Sequence, residues 1–146
     1  MGVTWKACRL LLLALLALPL VACDSGGQST ESGRLGVIEG EVFYRERMML
    51  PPGAELEVQL QDISRADAMA TVIASVHITT EGGPPYPFAI EYDAGRIDPR
   101  MTYGLRATIS AGGRLLFTTT DYNNPFADGP LDILVRRVAE SGNPDR

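Results

Sequence analysis

The sequence predicts an all-β domain: seven to eight short antiparallel strands in a Greek-key, immunoglobulin-like sandwich, with a small β-barrel as the alternative architecture. Three observations predict it. Apolar residues recur at every second position in run after run, which is the signature of a half-buried strand. Glycine and proline clusters separate the runs. No long amphipathic helical pattern follows residue 23.

The first strand is expected within residues 35–47. It is the least regular, with Ile38, Val42, Tyr44 and Met48 as its inner set and Gly36 and Gly40 as a bulge signal. Pro51-Pro52-Gly53 turns the chain into a clean second strand, where Leu56, Val58 and Leu60 alternate with glutamates and glutamines. Residues 64–70 suit a short helical turn. Val72, Ala74, Val76 and Ile78 form the inner set of the third strand, and Gly82-Gly83-Pro84-Pro85 breaks the chain after it.

Phe88, Ile90 and Tyr92 mark the fourth strand, and a second short helical turn is expected over residues 94–100. Tyr103, Leu105, Ala107 and Ile109 make the fifth. Its leading tyrosine, preceded by Ile97-Asp98-Pro99-Arg100-Met101-Thr102, resembles the tyrosine corner of immunoglobulin-like domains, in which the hydroxyl bonds back to upstream backbone. The plain alternative is a core tyrosine after an ordinary turn. Ala111-Gly112-Gly113 is a tight hairpin into Leu115 and Phe117, and Leu131, Ile133 and Val135 form the last strand.

The N-terminus reads differently. Lys6 and Arg9 precede about eleven apolar residues, too few for the roughly 20 that span a bilayer, so residues 1–22 read as a secretory signal. Its end, Leu20-Val21-Ala22-Cys23, resembles the lipobox of bacterial lipoproteins. That resemblance implies a diacylglyceryl group on Cys23, cleavage before it, and a membrane anchor made of acyl chains such as palmitate. Residues 23–34 then form the lipidated cysteine and a polar tether, 35–138 the domain, and 139–146 a disordered tail. Asp24 also resembles an inner-membrane retention signal, and the choice of inner or outer membrane stays open.

Composition excludes several function classes. Removing residues 1–22 takes away Cys8 and both Lys6 and Arg9; the formal charge moves from −5 to −7 and Cys23 is left as the sole cysteine. With that residue lipidated, no disulfide, thiol nucleophile or cysteine-bound zinc is expected. An acidic domain repels nucleic acid. His77 is the only histidine and lies on the polar phase of its strand. Asp121, Asn123, Asn124 and Asp128 lack the spacing of a calcium loop. No catalytic, cofactor or metal residue is assigned, and no enzyme activity is expected. Arg45, Arg47, Arg136 and Arg137 are expected to pair with Glu39, Glu41, Glu55 and Glu57. Tyr86, Tyr122 and Phe126 are the loop aromatics suited to contact a partner.

The domain itself resembles the YbaY/YscW-type bacterial lipoproteins. The resemblance is carried by residues 44–60 (YRERMMLPPGAELEVQL), 62–68 (DISRADA), Pro87-Phe88, Tyr92-Asp93, 96–100 (RIDPR), 103–107 (YGLRA) and 113–118 (GRLLFT). The YbaY-like branch implies an envelope lipoprotein of unassigned role. The anchor, the tether and the lack of reactive side chains lead to the expectation of a non-enzymatic lipoprotein facing the periplasm, whose β-domain binds another envelope protein or acts as a chaperone. The YscW branch further implies a pilotin that guides the secretin of a type III secretion system. A small-ligand-binding periplasmic lipoprotein is the alternative, with its pocket between the sheets or near Tyr86 and Tyr122.

Overall fold

The computed structural model describes residues 34–139. The signal segment, Cys23 with its tether up to residue 33, and the tail from residue 140 lie outside the described residues. Seven strands follow in chain order: β1 (Leu35–Phe43), β2 (Glu55–Asp62), β3 (Thr71–Thr79), β4 (Tyr86–Asp93), β5 (Tyr103–Ala111), β6 (Arg114–Thr119) and β7 (Asp132–Arg137).

Their spatial order is β3-β2-β5-β6-β7-β1-β4. β1 pairs with β4, while β2, β3, β5 and β6 form the other half of the molecule. The chain crosses between the halves after β1, again after β3 and again after β4, which is the Greek-key pattern. β7 joins the halves: it pairs antiparallel with β6 and parallel with β1. That parallel pairing makes the sheet mixed where the sequence suggested antiparallel strands throughout. It also draws the sandwich toward the barrel alternative, because only β3 and β4 remain side by side without a ladder between them.

The core is the inner phase of every strand. Val42, Leu56, Val58, Leu60, Ile90, Ala107, Ile109, Phe117, Ile133 and Val135 are essentially inaccessible. Burying a side chain of this size contributes about 1.5–3 kcal/mol. Tyr44 stacks on Phe117 at a ring separation of 4.8 Å, and Tyr86 lies 6.4 Å from Tyr44. Their polar tips are met by backbone: the Tyr44 hydroxyl donates to the Met48 carbonyl at 2.9 Å and Tyr86 to that of Gly82 at 3.1 Å. Burial first, and the Tyr44 hydroxyl second, push the Tyr86 phenol well above its ordinary value.

The tyrosine corner is present. The Asp98 amide donates to the Tyr103 hydroxyl at 2.9 Å, and that hydroxyl lies 3.4 Å from the Arg96 carbonyl. This ties the connection after β4 to the start of β5. The short helical turn expected there is a 3₁₀ turn at Ala94–Arg96, whereas residues 64–70 hold a single turn, closed by the Ala68 amide donating to the Arg65 carbonyl, without a helix.

Two β-bulges explain the misassigned inner residues. The β2/β3 register shifts at Leu60/Gln61, so that Ile73 packs on the core and Val72 is turned out. The β5/β6 register shifts at Ile109/Ser110, which brings Leu116 inward and exposes Leu115. Each extra residue inverts the alternation beyond it. Met48 lies beyond the end of β1 and is also exposed.

β1 itself has no bulge. Gly36 lies opposite Tyr92 and Gly40 opposite Phe88, and a Cβ on either would collide with the facing ring. These glycines are seats for aromatic rings. The hairpin at Gly112-Gly113 needs glycine for a different reason, since both residues have positive φ, 56° and 76°.

Candidate functional site

The unclosed seam is where the fold leaves groups unpartnered. Glu41 donates its amide to the Leu131 carbonyl on the β7 side. Ladder alternation therefore directs the even residues of β1 toward β4, and directs the amides of Ala89 and Glu91 away from β1 into the seam, where no ladder meets them. Pro87 occupies the same phase. It has no amide to donate, so it fits a free edge at no cost in ladder bonds and discourages edge-to-edge pairing. On the β3 side one seam carbonyl, that of Ile73, accepts from the Arg96 guanidinium at 2.7 Å.

An open groove of about 890 Å³ begins at this seam. Val76 and Ile78 reach it from β3, Phe88 and its flanks Pro87 and Ala89 from β4, and Leu131 from the segment leading into β7. Gly40 forms part of its wall; the missing side chain leaves room for Phe88 and Leu131 together. A second groove adjoins it, lined by Phe43, Tyr44, Pro84 and Pro85. Glu41 and Asp132 border both.

The electrostatics of the grooves are one-signed. Glu39, Glu41 and Asp132 are the charged residues lining them. All three are exposed, and none forms an ion pair among the described residues. The expected pairing of arginines with β1 and β2 glutamates is not formed among the described residues: Arg136 pairs with Asp121 at 3.3 Å, and Glu57 has His77 at 3.7 Å. β1 and β7 do adjoin, but the parallel register sets Glu41 beside Asp132, so acid faces acid.

The aromatics singled out from the sequence separate. Tyr86 begins β4 and is 4% exposed, so it is a core residue and offers no loop surface. Tyr122 and Phe126 are exposed by 62% and 44%. Both nevertheless hold the β6–β7 loop in place. The Tyr122 hydroxyl donates to the Tyr103 carbonyl at 3.0 Å, and the Phe126 ring lies 6.0 Å from those of Tyr92 and Tyr103. In the same loop the Asn124 side-chain oxygen accepts the Phe126 amide, as in a plain turn. Cys23 lies outside the described residues. Among the described residues no group of histidine, cysteine and acidic side chains is placed to hold a metal ion.

The groove residues were missed in the sequence because four separate segments build it. A signal was available in Pro87, a proline inside a strand pattern, and in a Gly40 that no turn required.

Residues 34–131 match the family described as type III secretion system lipoprotein chaperone (YscW). The chain belongs to the YscW family. A curated relative, the uncharacterized lipoprotein YbaY of Escherichia coli K12, is 35% identical over 83 residues, which are 56% of this chain and 44% of YbaY. The chain thus aligns to less than half the length of that relative. A solved structure, an alternative pilotin from the type II secretion system of Vibrio cholerae, superposes with a TM-score of 0.64 at 35% identity. It covers 72% of this chain and all of that one. The family is described as a lipoprotein chaperone and the structural relative as a pilotin, each of a secretion system, and this chain shares the relative's fold.

Proposed function

We propose that this YscW-family chain is a pilotin-type chaperone, anchored to a membrane through lipid on Cys23, whose seam groove holds a segment of a secretin. The carrying observation is the groove at the unclosed β3/β4 seam. Its floor is apolar (Val76, Ile78, Phe88, Leu131) and unpaired strand edges border it. Burial of apolar surface supplies affinity there, and free backbone groups can bond an extended guest by strand addition. The tether would let the domain escort its cargo while the acyl chains keep it at the membrane.

The family description and the pilotin structure support the chaperone part of this reading. The secretin as cargo is the further step. Deleting the gene should leave the secretin mislocalised or unassembled, and re-expression of the full chain should restore it. Normal secretin rings in the deletion strain would contradict this cargo. The small-ligand alternative is less well supported, since ligand sites usually enclose most of their guest and this groove is largely open to solvent.

A further inference from the structure

We infer that the seam groove selects a cationic, apolar segment, and that Glu39, Glu41 and Asp132 are the residues that read its arginine or lysine side chains. This rests on the groove being a binding site, as proposed above, and adds the chemistry of the guest. Every charge lining the two adjoining grooves is negative, and no arginine lines either. The three acids have no ion-pair partner among the described residues, although β7, the strand next to β1, carries Arg136 and Arg137.

Their placement is regular. Glu39 and Glu41 are two residues apart on one face of β1, about 7 Å at the usual strand rise. Asp132 is the register neighbour of Glu41 on the adjacent strand. Like charges placed side by side repel one another, and a guest cation between Glu41 and Asp132 would relieve that repulsion. An extended guest presents alternate side chains at the same 7 Å spacing. Two basic residues in an R-x-R or K-x-K arrangement would therefore meet the acids while their apolar neighbours meet Val76, Ile78, Phe88 and Leu131. A purely apolar guest would leave the rim unmatched.

The test is a selection from a displayed library of random 12-residue peptides against the detergent-solubilised full chain. The expected result is enrichment of peptides with at least two basic residues among apolar ones. Those peptides should bind the Glu39→Gln/Glu41→Gln/Asp132→Asn variant about tenfold more weakly, the sum of three exposed ion pairs. A charge-matched control, Glu55→Gln/Asp67→Asn/Glu81→Gln, removes exposed acids that line neither groove, and its affinity should stay within about twofold of the parent. Reselection on a Glu39→Lys/Glu41→Lys variant should enrich acidic peptides instead.

An apolar consensus without basic residues would overturn the inference and leave the groove reading standing. So would equal weakening by both triple variants, which would mark a general charge effect. Failure to enrich any peptide family would overturn the groove reading itself.

Discussion

The Phe88 ring lies across the place that a Gly40 side chain would fill, so a glycine on β1 and an aromatic on β4 together form the wall of the seam groove. A Gly40→Ala substitution must displace both that ring and the Leu131 carbonyl. Overpacking of this kind costs about 1–3 kcal/mol. Urea unfolding should show the loss, and peptide binding in the groove should weaken with it.

Tyr103 makes the second structural prediction. Tyr103→Phe keeps the ring and leaves the Asp98 amide without its acceptor. The expected loss is about 1–2 kcal/mol, with the fold retained. Thermal melting followed by circular dichroism would check it; an unchanged Tm would mean the corner carries no stability.

Phe117 sits at the centre of the core, fully buried and stacked on Tyr44. Phe117→Ala should cost about 3–5 kcal/mol, a large fraction of the stability of a domain this size. Loss of a cooperative unfolding transition, or of soluble expression, is the expected readout.

Acid stability should depend on Asp98. The Arg100 guanidinium, and then the Arg100 amide, hold the Asp98 carboxyl below its ordinary value of 3.8. A lowered folded-state pKa means that stability is present above 3.8 and is lost as pH falls through the folded value. Asp98→Asn should therefore flatten the fall of Tm with pH below about 4, and leave its pH dependence near neutrality unchanged. The group is solvent-exposed, so the effect is small. A Tm series over that range would show an identical slope if the pairing were incidental.

Cys23→Ala should abolish both lipid labelling and signal cleavage. Metabolic labelling with a tagged fatty acid should mark the parent chain and not the variant, and the variant should migrate as the longer precursor. Label retained on the variant would move the anchor elsewhere.

What could be read from the chain follows from where each strand lies. β2 and β5 each have neighbours on both sides and run beside each other without a bulge, so Leu56, Val58 and Leu60 and Tyr103 through Ile109 alternate as expected. Tyr103 was legible as a corner because its partners are five and seven residues upstream. Val72 and Leu115 lie out of phase because a single extra residue next to each in its own strand, Ile73 in β3 and Leu116 in β6, reverses the alternation across it. The parallel β1–β7 pairing joins residues about ninety positions apart, and no local pattern encodes it. The groove shares that limit. Its walls come from residues 39–41, Val76 and Ile78, 87–89 and 130–132, which only the topology brings together. In the sequence Glu39 and Glu41 read as salt-bridge partners for arginine; the register that sets Asp132 beside Glu41 is not visible there.

The central claim is that the seam groove is where the envelope partner is held. The most direct test places a photo-crosslinking amino acid at Ile78 or Leu131 in the full-length lipoprotein, in cells expressing the secretin, with Gln59 on the polar phase of β2 as the control position. The account predicts a crosslinked adduct with the secretin from Ile78 and Leu131 and none from Gln59. Adducts of equal yield from all three positions, or an adduct from Gln59 alone, would contradict it.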